Sequence, residues 1–279
     1  MPTKQTKSDD RVTKQLVVDE TFVDPLWSKN VEVPLLEMCC ACNMPDHPVI
    51  LMPELRLRSL LHNLAECLPN KSKIMIVDNS NSRFESLRNS INAPNINLYF
   101  STQEMGGLNY ADNSFHFALT ELGLTSICRM DVNFASYRRV LKPGSPLIWC
   151  APQPGSFPAF FDILEECLFA IESKDCKEIM KNIKSAMDPQ HMQDLLSMLG
   201  YTYKGGDNVE FKIMFPNTEQ MLLSTLTEAH YLNYCLNLNY PNINGKKLLT
   251  AVIQSFNQYF QDESIDIPMK IGIHSAIKS

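Results

Sequence analysis

Short apolar blocks alternate with helical stripes through the first half of the chain. PVILM (48–52), KIMIVD (73–78), NINLYF (95–100), HFALTELGL (116–124) and PLIWCAP (146–152) are runs of the kind that form buried strands. Between them, PELRLRSLLHNLAECLP predicts a helix opening at Pro53, with Leu57, Leu60, Leu61 and Leu64 on one stripe. SRFESLRNSI predicts a shorter helix, and DVNFASYRRVL another that stops at the KPGS turn, 142–145. Upstream, VEVPLLEMCCAC predicts a helix begun at Pro34, and residues 1–20 a mobile tail. The second half is more helical: 157–171, 188–200, 217–236 and 246–261, with strands at 209–215 and 267–277. Strands separated by helices imply parallel βαβ units, and hence a doubly wound sheet with helices on both faces.

Composition sharpens this picture at one point. Average usage predicts roughly 20 glycines in a chain of this length; there are 10 in 279 residues, and the first is Gly106. A P-loop or a GxGxxG turn is therefore excluded from the first 105 residues. A net charge of −6 argues against a general nucleic-acid binder, which needs a dense basic face. No apolar run is long enough to span a membrane. The polar start, with Asp9 and Asp10, lacks a signal peptide's apolar core. Nine irregularly spaced cysteines fit reduced thiols, so the expected location is cytoplasmic.

The stretch LNYADNSFHFAL…FASYRRVLKPGSPLIWCAP, residues 108–152, resembles class I S-adenosylmethionine-dependent methyltransferases, with RRVLKPG at 138–144 as the most specific piece. The branch it most resembles is type 11-like and includes malonyl-carrier-protein methyltransferases and complex I assembly-factor methyltransferases. HMQDLLSMLGY (191–201) and QYFQDESIDIPMKIGIHSAIK (258–278) resemble that branch more loosely. The resemblance implies a Rossmann-like, doubly wound seven-stranded α/β sheet, its last strand antiparallel, with helical cap insertions. A methyltransferase-like domain would then cover 21–279, with a cofactor-type half at 48–152 and the cap and C-terminal half at 153–279.

The same resemblance implies site positions. KIMIVDNS falls on the family's second strand, placing Asp78, followed by Asn79, where an acid holds the cofactor ribose. Glu104, followed by Met105, stands near the expected adenine contact, and Tyr110 and Glu121 near the carboxyl edge of the sheet. VILMPELRL falls on the first strand and its glycine loop, but Leu51 replaces the acid, and Pro53, Leu55 and Leu57 replace the glycines. Without glycine, backbone cannot closely approach the methionine part of the cofactor. His116 stands where the fourth strand usually begins with Asp.

Each position has a plainer alternative. Asp78 also suits a helix cap, Glu104 a solvated loop, and His116 either a base or a neutral, half-buried histidine. Cys39, Cys40 and Cys42 with His47 suggest a metal, but helical neighbours about 100° apart converge poorly on one ion. Small buried hydrophobes with one exposed thiol fit better, so no metal is expected. Phe157, Phe160, Phe161, Leu164, Leu168 and Phe169 form an apolar face suited to a substrate lid, to core or to a protein interface. Two functions follow. The first is a non-catalytic methyltransferase-like protein with a decayed cofactor loop, binding a protein partner, a homo- or hetero-oligomer, or a small-molecule ligand, with no resident cofactor. The second is an active enzyme using S-adenosylmethionine on a small-molecule or carrier-linked acceptor.

Overall fold

The computed structural model describes residues 11, 13–54, 58–79, 84, 94–171, 174–261 and 263–279. A seven-stranded sheet runs through the molecule in the order β3-β2-β1-β4-β5-β7-β6. Its strands are β1 (Val49–Pro53), β2 (Ser72–Asp78), β3 (Ile96–Thr102), β4 (Phe117–Glu121), β5 (Pro146–Pro152), β6 (Tyr201–Phe215) and β7 (Ile265–Lys278). The first five pair in parallel, and β7 runs antiparallel to both β5 and β6. Helices flank the sheet, as the alternating pattern requires. The expected Rossmann-like fold class is the one observed.

The helices are α1 (13–40), α2 (Arg58–Cys67), α3 (Leu124–Ile127), α4 (Met130–Val140), α5 (Pro158–Ala170), α6 (Cys176–Ala186), α7 (Pro189–Met198), α8 (218–237, interrupted at Ser224) and α9 (Gly245–Phe260). Where a tail to residue 20 was expected, residues 13–20 are already helical, and Val18 and Asp19 are buried. Nor does a helix start at Pro34. Instead α1 carries two π turns, Asp19–Val23 and Ser28–Glu32, each followed two residues on by a proline, Pro25 and Pro34. In each turn the closing N–H bonds five residues back, Asp24 to Asp19 and Val33 to Ser28. A wider turn relieves the clash between a proline ring and the preceding carbonyl, so the helix continues through both.

Pro53 closes β1, opposite Val77, instead of opening α2. β6 is eight residues longer at its start than the apolar run 209–215 suggests. Gly205 and Gly206 look like a turn in sequence; here they lie in the strand, with a register irregularity between Tyr203 and Gly205. A Cβ on Gly206 would meet the Ile273 carbonyl oxygen and His274 Nδ1 at 2.4 Å, so glycine is required for close approach. Helix α6 was missed, although Cys176, Ile179, Met180 and Ile183 lie buried at helical spacing. Of the phenylalanine face, Phe157, Phe160, Leu164 and Leu168 are core, Phe161 is half-buried and Phe169 is exposed. Residues 1–10, Leu55 and Leu57, and most of the SRFESLRNSI helix expected from the sequence lie outside the described residues.

Candidate functional site

From β1 the chain steps outward to β3 and then returns to β4, on the other side of β1. The carboxyl ends of β1 and β4 therefore flank the switch point, outside which open α/β sheets take their ligands. Three carboxylates and an indole define that place.

At the end of β1, Glu54 follows Pro53 with a left-handed φ of 57°, a conformation that glycine takes at no steric cost. Its N–H donates to the Val77 carbonyl at 2.8 Å. Its side chain is buried and accepts from the hydroxyl of Ser126, on α3. At the end of β4, Glu121 is wholly enclosed and accepts the Trp27 indole N–H at 3.2 Å. Trp27 comes from α1, is itself fully buried, and stands edge-on to His230 (5.3 Å) and Phe211 (6.2 Å). Glu32, five residues further along α1, is also buried. It accepts from the Ser59 hydroxyl and, at 3.0 Å, from Asn63, both on α2. Burial pushes the Glu32 carboxyl up to about 7; the Ser59 hydrogen bond opposes this, and the nearby charge of Glu121 adds to it. Cys150, opposite Glu121 on β5, is pushed strongly up by burial, and both acids add to that shift.

Helix α1 is held here by α8. The Thr225 N–H donates to Asp19 at 2.9 Å, while Gln15 (2.6 Å) and Arg11 (3.2 Å) donate to Glu228. Gly123 lets α8 close on the loop after β4: its Cβ would lie 2.6 Å from the Ala229 carbonyl oxygen.

The positions expected from the sequence are spread around this centre. Asp78 is half-buried at the end of β2, and its carbonyl accepts from Gln103 N–H at 2.9 Å. Asn79 and Glu104 are exposed, and Met105 is buried in the short turn after β3. Leu51 is fully buried between Met75 and Ala118. Tyr110 packs edge-on to Phe115 and lines an open hollow of about 640 Å³ beside β3. His116 lies at the opposite, amino end of the sheet. Its Nδ1 accepts the Val49 N–H at 3.1 Å, and burial and then Lys142 lower its pKa. Among the described residues no group of three His, Cys, Asp or Glu is placed to hold a metal, and all nine cysteines are free.

Sequence reasoning passed over Trp27, Glu32, Glu54, Ser126 and His230. The only local signal was Glu32 itself, an acid between two valines ahead of an apolar run. A second opening, of about 770 Å³, lies between α3, α4, α6, α7 and the end of α8, with Arg129, Asp131, His191, Asp194 and Tyr240 on its walls.

The resemblance read from the sequence implies S-adenosylmethionine, and the end of β1 is where its amino-acid portion would lie. Leu51 offers no acceptor, Pro53 has no N–H, and the Glu54 N–H is already taken by Val77. The described residues at the end of β1 do not fit the amino-acid portion of that cofactor.

No protein-family model matches the sequence, and no curated protein matches it either. Solved structures with the same fold are found at low identity. Loganic acid methyltransferase with S-adenosylhomocysteine is 10% identical, with a TM-score of 0.57 over 95% of this chain and 94% of that one. A candidate methyltransferase from Bacillus halodurans is 12% identical, with a TM-score of 0.52 over 89% and 98%. A third structure is a complex between the Haloferax volcanii Trm112 methyltransferase activator and a candidate methyltransferase; it is 8% identical, with a TM-score of 0.50 over 91% and 92%.

Proposed function

We propose, from a chain that has the fold of class I S-adenosylmethionine-dependent methyltransferases, a non-catalytic protein that works by binding. One observation carries this reading: the chain's own side chains hold the carboxyl ends of β1 and β4, Glu54 to Ser126 and Glu121 to Trp27, under α1 and α8. The loss of glycine from the loop after β1 agrees with it. The ligand is a protein partner, an oligomeric neighbour or a small molecule, and the 770 Å³ opening is of small-molecule size. The complex formed by one structural neighbour supports a protein partner. No helix among the described residues is long and apolar enough to cross a membrane, and a cytoplasmic site of action is part of the proposal. Nucleic acid is not the expected partner, given the net charge of −6. Calorimetric titration with S-adenosylmethionine tests the reading. No heat of binding is expected, and micromolar affinity would overturn it.

A second reading keeps the chain as an enzyme. Asp78, Asn79 and Glu104 stand at the ends of β2 and β3, where they would hold the ribose and adenine, and the neighbour solved with S-adenosylhomocysteine makes this worth testing. Catalysis would then rest on aligning an acceptor with the methyl donor. On this reading Asp78→Ala abolishes a measurable affinity for the cofactor. An affinity left unchanged by that substitution speaks against it.

A further inference from the structure

The two edges of the sheet are built differently. β6, the edge beside β7, carries Lys204, Asp207, Glu210 and Lys212 and a register irregularity at Tyr203/Gly205, and it packs against α1. Charges, bulges and covering elements are the usual ways a sheet blocks pairing at its edge. β3, the other edge, has none of these in its own sequence. Its seven residues, INLYFST, include no charge, no proline and no glycine. Every one of them stays in register with β2, from Ser72↔Ile96 to Asp78↔Thr102, so the strand is regular to both ends. Among the described residues nothing pairs with its outer side. Tyr99 is 44% exposed on this edge.

The strand also reads almost the same in both directions. About Tyr99, an antiparallel copy sets Leu98 against Phe100, Asn97 against Ser101 and Ile96 against Thr102. Each pair shares a face of the sheet, because directly opposed residues point the same way. Apolar then meets apolar, polar meets polar, and the β-branched ends meet each other. A two-fold axis makes every such contact twice. We propose that β3 pairs with β3 of a second copy of this chain, antiparallel about Tyr99, joining the two sheets into one. The absence of charge in the strand removes the local repulsion that would otherwise oppose self-pairing. This goes beyond the binding function and does not depend on whether the crevice takes a cofactor.

Light scattering on the size-exclusion peak at about 50 μM full-length protein tests it. The expected mass is twice the 31.8 kDa of one chain. Tyr99→Lys places two cations opposite each other on the axis and should weaken the dimer at least ten-fold, with the thermal midpoint and circular dichroism of the monomer unchanged. A second arm locates the contact. Under mild oxidation Tyr99→Cys should link two copies through residue 99, identified by peptide mass spectrometry. Lys73→Cys, exposed on β2 one strand further in, should not. A wild-type monomer at this concentration overturns the proposal. So does a dimer indifferent to Tyr99→Lys, or equal cross-linking at 73 and 99.

Discussion

Glu32 and His274 are buried ionisable groups whose shifts oppose each other across pH. Burial raises Glu32 from 4.5 to about 7 and lowers His274 from 6.5 to about 4, with Asp207 opposing the latter. For Glu32 the unfolded chain ionises first, so its contribution is full below pH 4.5 and is lost as pH rises to about 7. For His274 the unfolded chain protonates first, so its contribution is full above 6.5 and is lost as pH falls to about 4. Each swing is worth about 3 kcal/mol. Between pH 4.5 and 6.5 the two proton counts cancel. Glu32→Gln should therefore expose a stability that falls on acidification relative to wild type. His274→Gln should expose the reverse slope, falling from pH 4.5 to 7. Urea unfolding of the two variants at several pH values checks this; parallel profiles would show that neither group is perturbed in the fold. His274 was not singled out in the sequence, because its shift comes from Tyr203 (2.9 Å), Trp149 and the strands around it.

At the scale of elements, α1 and β6 depart furthest from the local pattern, and both do so through residues that ordinarily end structure. Pro25 and Pro34 are absorbed by π turns, which carries Trp27 and Glu32 over the carboxyl edge of the sheet. Trp27→Ala removes a large, fully buried side chain and leaves Glu121 without its indole donor; a loss of about 3–5 kcal/mol is expected in denaturant unfolding. In β6, Gly206 is needed because His274 and the Ile273 carbonyl occupy the space a Cβ would take. Gly206→Ala should cost about 1–3 kcal/mol, as overpacking does, whereas Gly107→Ala, with nothing within 4 Å of the added atom, should pass almost unnoticed by the same measurement. The central strands and α4, α7 and α9 were legible because apolar periodicity and capping residues agree there, as where Asp188 caps α7 by accepting from Gln190.

For the molecule as a whole, strand order puts the switch point at β1 and β4, and the chain fills that point with its own groups. A ligand that binds only the folded state at 100 times its dissociation constant stabilises that state by about 2.7 kcal/mol. S-adenosylhomocysteine at roughly millimolar concentration should therefore leave the thermal midpoint unmoved if the crevice rejects it, and raise it by several degrees if it binds with micromolar affinity. Asp78, Glu104 and Glu121 were all placed near the carboxyl edge by sequence resemblance, yet they stand in different surroundings: half-buried, exposed and fully enclosed. Burial of that kind depends on what α1 and α8 bring from far along the chain, Trp27 lying 94 residues from Glu121, which no local window contains.

The amino-acid sequence by itself determined the α/β class, the alternation of strands and helices, and the absence of glycine after β1, because each is written in local periodicity or in the lack of one residue type. Tertiary structure alone decided that Trp27 meets Glu121, that Glu32 sits between Ser59 and Asn63, and that β3 and β6 form the two edges of the sheet among the described residues. These are contacts between distant segments, set by strand order and by the packing of α1, and the energy of a buried carboxylate depends on that enclosure.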